Sequence, residues 1–119
     1  MKELWDVLDK DGKITGRTME RGWMKSGDFH LIINVWIKNT KGEYLIAKRT
    51  DNKRWLNLWG CTIGSAITGD DSLTTALKET NEELGITFIS ENGELFKKII
   101  HYVDDDKDRG EFIDVWLFT

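Results

Sequence analysis

The sequence predicts an α+β fold in which strands outnumber helices. Short segments rich in β-forming residues recur along the chain, and one segment carries the spacing of an amphipathic helix. The length of 119 residues suits one domain with a core of its own, and no internal repeat, linker or low-complexity segment divides the chain. We therefore expect a single domain over residues 1–119.

The strand predictions rest on alternating hydrophobic residues and on the turn signals between them. Residues 29–37 alternate and run into the turn signal of residues 39–42, so residues 43–49 are expected to form the second strand of a hairpin. Residues 104–108 are mostly acidic and are expected to form a loop between two later strands. The same reasoning predicts strands at residues 4–8, 14–17, 61–63, 95–103 and 112–118.

Six tryptophans are unusual in a chain of this length. Trp5, Trp36 and Trp116 lie in strand patterns, and we expect them in the core. Trp55 and Trp59 bracket a polar loop, where they either anchor the loop or stack on a base or sugar.

The helix prediction applies to the residues between Asp70 and Gly85. Asp70, Asp71 and Ser72 supply N-cap chemistry at its start, and Gly85 stands where helices commonly end in a left-handed residue. At about 100° per residue, one face of this helix is an apolar stripe that would pack on a core. The stripe consists of Leu73, Ala76, Leu77, Thr80 and Leu84.

Three glutamates form a separate edge of the same helix. Glu79, Glu82 and Glu83 have the i, i+3, i+4 spacing that brings side chains together on a helix. Glu79 and Glu83 repel each other by about 0.2–0.5 kcal/mol at this spacing, and Lys78 offsets the charge of Glu82 only in part. A divalent cation would remove the repulsion, and a solvated acidic face is the alternative interpretation.

The segment around this helix resembles the Nudix box. That motif is a glycine, five residues, a glutamate, seven residues, an Arg-Glu pair, an aliphatic residue, any residue, two glutamates, any residue, a glycine and an aliphatic residue. The residues of this chain that match it are Gly64, Glu79, Glu82, Glu83, Gly85 and Ile86.

Four positions depart from the motif. Asp70 stands in place of the first glutamate, Lys78 in place of the arginine, and Thr80 in place of the aliphatic residue. Ile63 precedes the loop glycine, where relatives often have a second glycine. Lysine cannot make the planar two-pronged contact of arginine with a carboxylate, so we expect the glutamates to be held less rigidly.

The resemblance implies an α/β/α sandwich with a mixed β-sheet. It also implies a hydrolase that cleaves the diphosphate bond of a nucleoside diphosphate linked to another moiety, X, with Mg²⁺, or Mn²⁺ in its place, as the cofactor. The implied cation ligands are the carbonyl of Gly64, the carboxylates of Glu79, Glu82 and Glu83, and a further acid for which Glu111 is the first candidate and Asp114 the second.

The same resemblance implies roles for other residues. Glu79 or Glu82 would act as the general base, Lys78 would orient one of them, and Asp70 would fix the loop before the helix. The candidate substrate-binding residues are Arg49, for a phosphate contact, Trp55 and Trp59.

Two other functions stay open at this point. The substitutions in the box are compatible with a nucleotide-binding module that does not catalyse a reaction. The stretch from residue 30 to residue 59 is also similar to type I isopentenyl diphosphate isomerases, but the positions of their cysteine and two histidines hold Ile63, Ser65 and Trp23. Isomerisation needs an acid and a base on opposite faces of the substrate, so these replacements disfavour it.

Composition and charge limit the expected partners. A net charge of −4 disfavours diffuse binding of a nucleic acid polymer, so we expect a small-molecule diphosphate substrate. The single Cys61 excludes an internal disulfide, and no segment is long and apolar enough to cross a membrane, so a cytoplasmic protein is expected. The chain ends within a strand pattern, so we expect C-terminal elements of the resembled fold to be missing and the open sheet edge to favour a homodimer.

Overall fold

The computed structural model of the protein describes residues 3–21, 24–48, 59–103 and 106–119. Within these ranges the chain forms nine β-strands, one α-helix and a short 3₁₀ turn at Ser90–Asn92. The strands are β1 (Leu4–Leu8), β2 (Ile14–Glu20), β3 (Phe29–Lys38), β4 (Tyr44–Leu45), β5 (Ala47–Lys48), β6 (Trp59–Gly60), β7 (Thr62–Ser65), β8 (Gly93–Val103) and β9 (Asp106–Phe118). The helix is α1 (Ser72–Leu84).

Seven strands form one mixed sheet. The order β2-β1-β3-β9-β8 runs across it, and β4 and β7 also pair with β3. β3 and β9 are parallel, from the Phe29–Gly110 pair to the Ile37–Phe118 pair, whereas the other pairs of this sheet are antiparallel. β5 and β6 form a separate two-stranded sheet. The predicted α+β fold with a mixed sheet is confirmed.

α1 covers one face of the sheet through the predicted apolar stripe. Ala76 is fully buried in a cluster with Ile33 of β3 and Phe118 of β9, and Leu73 and Leu77 pack against this cluster. Burial of each large apolar side chain contributes about 1.5–3 kcal/mol to the free energy of unfolding. Within the described ranges α1 is the only α-helix, so one helical layer of the expected α/β/α sandwich is present there. No helix of these ranges has the length and apolar character that crossing a membrane requires.

The β1–β2 hairpin adds a second, smaller core. Trp5 and Val7 of β1 are buried together with Met19 of β2, and Met24 packs against them. The ring of Trp5 is stacked on the ring of His30 in β3, with centroids 4.0 Å apart and planes 1° from parallel. This packing fixes the hairpin to the central strand of the sheet.

Three details differ from the predictions made from the sequence. The strand predicted over residues 43–49 is interrupted at Ile46, because β4 pairs with β3 while β5 pairs with β6. β9 begins at Asp106, so it includes residues 106–108 of the stretch predicted to be a loop. Trp36, predicted in the core, is 36% exposed, because strand alternation turns it toward the face of β3 that α1 does not cover.

Candidate active site

Caps fix both ends of α1 and, with them, the edge that carries the three glutamates. At the N-terminus Asp71 accepts a hydrogen bond from the backbone N–H of Thr74 at 2.8 Å, which holds the pKa of Asp71 below its ordinary value. At the C-terminus Gly85 has a φ of 70°, and its N–H donates to the carbonyl of Asn81. Glycine adopts this left-handed conformation without strain. Both capping predictions are confirmed.

Gly64 of β7 lies directly against Glu79 of α1. A Cβ atom added at position 64 would lie 2.5 Å from Cγ and 2.8 Å from Oε1 of Glu79, closer than real Cβ atoms come to other atoms. The antiparallel pairing of β7 with β3, in which Gly64 is opposite Ile33, places the glycine there. The missing side chain at Gly64 therefore lets the Glu79 carboxylate approach the backbone of β7.

The Glu79 carboxyl group is in an unfavourable environment for a negative charge. Burial, followed by repulsion from Glu82, Glu83 and Glu3, raises the pKa of Glu79 to about 7, while Arg21 acts in the opposite direction. These charges can act on Glu79 because the helix glutamates share one edge of α1, as their spacing predicts. A cation bound at this edge would offset both the burial and the repulsion.

Lys78 joins the helix to the loop that precedes it. Its ammonium group donates a hydrogen bond to Oδ2 of Asp70 at 2.7 Å, and this bond raises the pKa of Lys78. We expected Lys78 to orient Glu79 or Glu82, but the partner that the structure gives it is the loop carboxylate. The ion pair supports the expected role of Asp70, which is to fix this loop.

A cavity of about 480 Å³ lies along the glutamate edge of α1. Glu79 and Glu82 line it from the helix, and Asp70 lines it from the loop before the helix. Glu3, which precedes β1, is also part of the wall. A wall so rich in carboxylates suits a cation, or the complex of a cation with a phosphate group.

The helix glutamates are not gathered around one point. Glu82 and Glu83 are exposed, and no group of three or more His, Cys, Asp or Glu residues in the described ranges has the geometry to hold a metal ion. The donor chemistry of these residues does fit Mg²⁺, which prefers a few carboxylate oxygens and keeps several waters.

Glu111, the first candidate for a further ligand, contacts two histidines. Its carboxylate lies 3.4 Å from Nε2 of the buried His30 and 3.5 Å from Nδ1 of the exposed His101. The hydrogen bond with His30, with a smaller effect of His101, lowers the pKa of Glu111. Asp114, the second candidate, is buried and lies 3.6 Å from Nζ of Lys98. The contacts described for both acids are therefore with basic side chains and not with the helix glutamates.

Only one of the three predicted substrate-binding residues lies in the described part of the chain. Arg49 and Trp55 lie outside the described residues. Trp59, the third, is in β6 opposite Lys48 and has 64% of its surface exposed. This exposure places Trp59 outside the core, and both alternatives, anchoring the loop and stacking on a base or sugar, stay predictions.

Comparison with protein families settles which family has this combination of sheet, loop and helix. The family model described as NUDIX domain matches residues 28–119, which include β3, Gly64 and all of α1. The chain belongs to the Nudix family. The family suggested by the box is thereby confirmed.

Nudix relatives are similar to between 71% and 99% of the chain. An uncharacterized Nudix hydrolase of Listeria monocytogenes is 38% identical over 120 residues, which are 98% of this chain and 67% of the relative. Another, of Listeria innocua, is 41% identical over 88 residues, which are 71% of this chain and 52% of the relative. Nudix hydrolase 3 of Arabidopsis thaliana is 34% identical over 128 residues. That alignment covers 99% of this chain but only 16% of the plant protein.

Solved Nudix structures share the fold. A MutT/nudix family protein from Enterococcus faecalis has a TM-score of 0.60 at 20% identity, over 75% of this chain and 36% of that protein. A MutT protein from Methanosarcina mazei Go1 has a TM-score of 0.61 at 21% identity, over 76% of this chain and 63% of that protein. At these identities the likeness establishes the Nudix fold.

Two residues beside the Nudix helix were missed by sequence reasoning. Glu3 and Arg21 both precede residue 28, where the Nudix match begins, and both act on the charge of Glu79. Motif spacing could not show them, because their mutual contact joins residues 18 positions apart. The predicted hairpin came close to showing them, but its second strand was expected to end at residue 17, short of the pairing of residue 4 with residue 20.

Proposed function

We propose that this Nudix protein is a Mg²⁺-dependent hydrolase that cleaves the diphosphate bond of a nucleoside diphosphate linked to another moiety, X. Mn²⁺ can take the place of Mg²⁺ in this proposal. The observation that carries it is the contact of the Glu79 carboxylate with Gly64, beside a cavity lined by further carboxylates. Membership of the Nudix family supports the same reaction class. The proposed catalytic domain comprises residues 1–119.

The proposed cation ligands are the carbonyl oxygen of Gly64 and the carboxylates of Glu79, Glu82 and Glu83. When bound, Mg²⁺ would neutralise phosphate charge and lower the pKa of a coordinated water. The raised pKa of Glu79 supports the assignment, because a carboxyl group that is costly to ionise alone gains most from a nearby cation. We leave Glu111 out of the set, since two histidines contact its carboxylate.

The chain's own residues have distinct proposed roles around the substrate. Glu79 and Glu82 are the candidates for the general base, because both line the cavity and a base needs to reach the proton that it removes. Lys78 acts indirectly, by holding Asp70 and with it the loop that connects β7 to α1. The proposed substrate contacts from the sequence are Arg49, Trp55 and Trp59.

Product release from defined substrates tests the proposal. The purified protein is incubated with Mg²⁺ or Mn²⁺ and a panel of nucleoside triphosphates, dinucleoside polyphosphates, nucleotide sugars and isopentenyl diphosphate. We expect the protein to cleave at least one nucleotide, and we expect a chelator to abolish this activity. Glu82→Gln and Glu83→Gln should each lower kcat/KM by at least about tenfold. Glu94→Gln is the matched control, since Glu94 is exposed on β8 and does not line the cavity.

The same panel separates the two alternatives. Nucleotide binding without any product would indicate a nucleotide-binding module. Conversion of isopentenyl diphosphate without phosphate release would indicate an isomerase, despite Ile63 and Ser65 at the positions of the isomerase cysteine and histidine. Either result would overturn the hydrolase proposal.

A further inference from the structure

We propose that Arg21 is a substrate-binding residue whose guanidinium contacts the diphosphate group in the cavity beside Glu79. The identity of the anion rests on the proposed hydrolase function, whereas the choice of the residue rests on the geometry of the β1–β2 hairpin. Arg21 precedes the Nudix match at residues 28–119, so this contact is a contribution of the chain's own N-terminal hairpin to the site.

The hairpin holds Arg21 against Glu3, a residue of the cavity wall. Its backbone N–H donates to the carbonyl of Glu3 at 3.1 Å, and its Nη1 donates to Oε2 of Glu3 at 2.8 Å. Glu3 in turn lines the same cavity as Glu79. The N–H of Thr68 donates to the carbonyl of Leu4 at 2.9 Å, which fixes β1 against the loop between β7 and α1.

The guanidinium is held in position while most of it stays accessible. Its Cζ lies 5.7 Å from the ring centroid of the buried Trp5, within the range of a cation–π contact. Glu3 accepts from one of the five N–H donors that a guanidinium carries, and 66% of the Arg21 side chain is exposed. A planar set of donors matches the oxygens of a phosphate group, which arginine can bind at two points.

The charge distribution of the cavity gives Arg21 a function there. A diphosphate would be repelled by the carboxylates of the wall unless positive charge offset them. Lys78 lines the cavity and supplies one positive charge, which is paired with Asp70 at 2.7 Å. Arg21 is joined at 2.8 Å to Glu3, another carboxylate of the wall, so its positive charge lies beside the carboxylates that would repel a diphosphate.

Titration calorimetry with inorganic pyrophosphate, in the presence of Mg²⁺, tests the inference. We expect Arg21→Gln to weaken pyrophosphate binding by about tenfold or more, which is the size of a charge-assisted hydrogen bond. Arg21→Lys should recover only part of the affinity, because lysine keeps the charge but lacks the planar donors. In steady-state hydrolysis of a substrate that the panel identifies, Arg21→Gln should raise KM and leave kcat nearly unchanged, since it removes binding that ground state and transition state share.

Arg17→Gln is the matched control. Arg17 is on the same strand, has 60% of its side chain exposed, and is paired with Asp28 at 3.0 Å. Both substitutions remove one positive charge from β2, so equal weakening of pyrophosphate binding would show an effect of net charge and would overturn the contact. Thermal melts by circular dichroism show whether each variant is folded. If Arg21→Gln does not fold, the pyrophosphate affinity of Arg21→Lys still tests the contact.

The experiments distinguish failure of this inference from failure of the proposed function. Hydrolysis with unchanged KM and unchanged pyrophosphate affinity in Arg21→Gln would overturn the role of Arg21 and leave the hydrolase proposal standing. Pyrophosphate binding that depends on Arg21, in a protein that cleaves no substrate of the panel, would support the contact and overturn the hydrolase.

Discussion

The carboxylate of Glu79 occupies the space that any side chain at position 64 would fill. The contact joins α1 to β7, and the pairing of Gly64 with Ile33 joins β7 to the central strand β3. The Glu79 carboxylate and the backbone of Gly64 therefore belong to a helix and a strand that the core holds together. Sites built on regular elements are positioned more accurately than sites on loops.

Gly64→Ala should displace the Glu79 carboxylate, because the new Cβ would lie 2.5 Å from Cγ of Glu79. We expect kcat/KM to fall by roughly 100-fold, the effect that a misplacement of about 1 Å can have. Gly60→Ala is the control, since no atom of the described residues lies within 4 Å of a Cβ at that position. Wild-type kinetics in Gly64→Ala would show that the contact has no part in the reaction.

Glu79 should make the metal-free protein less stable as the pH rises. Burial raises the folded-state pKa from the ordinary 4.5 to about 7, so folding favours the protonated form. This stabilisation is complete below about pH 4.5 and is lost as the pH rises through 7. With a chelator at pH 8, we expect Glu79→Gln to have a free energy of unfolding on the order of 1–3 kcal/mol above that of the wild type.

Urea denaturation of both proteins at pH 5, 6, 7 and 8 measures this difference, which should shrink toward pH 5. Mg²⁺ at pH 8 should stabilise the wild type more than Glu79→Gln, because the cation offsets the charge that only the wild type carries. A difference between the two proteins that does not vary with pH would contradict the prediction.

Asp71→Ala should lower the free energy of unfolding by about 1 kcal/mol, because the N–H of Thr74 loses its hydrogen-bond acceptor. Asp71→Asn keeps an acceptor and should cost much less. The pKa of Asp71 is lowered in the folded state, so its contribution is present above the ordinary value of 3.8 and is lost as the pH falls through the lowered value. Thermal melts between pH 7 and pH 2.5 would reveal this, and equal losses in both variants would argue against a capping role.

Lys78→Gln and Asp70→Asn should impair catalysis through one shared effect on the loop. Each should lower kcat/KM by at least about twofold, and the double variant should be no worse than the more impaired single variant, as expected for partners in one ion pair. The measurement is a double-mutant cycle on steady-state kinetics. If Lys78 instead orients Glu79 or Glu82, Lys78→Gln will be the more severe change, and the two effects will multiply.

α1 and its surroundings were the most predictable part of the molecule. Asp71, the apolar residues Ala76 and Leu77, and Gly85 act through neighbours within a few positions along the chain, so their spacing determines the caps and the buried face. The glutamate edge follows from the same geometry. The family could be recognised for that reason, even with Asp70 and Lys78 in place of the usual residues.

Features that depend on which strands pair could not be predicted in the same way. An alternating pattern shows that Trp36 and Ile37 point to opposite faces, but not which face a helix covers. The interruption at Ile46 arises because two adjoining segments have different partner strands. The contacts of Glu111 with His30 and His101 arise from the register of β9 with its two neighbours, and one of these, β3, is distant along the chain.

The β1–β2 hairpin also determines how short an engineered version of this domain can be. A version that begins at residue 28 would retain the whole Nudix match, yet it would lack Trp5, and the imidazole of His30 would then face water instead of an indole ring. Fusion partners and purification tags are therefore better joined ahead of residue 3, so that the added sequence does not replace a strand that shields the central sheet.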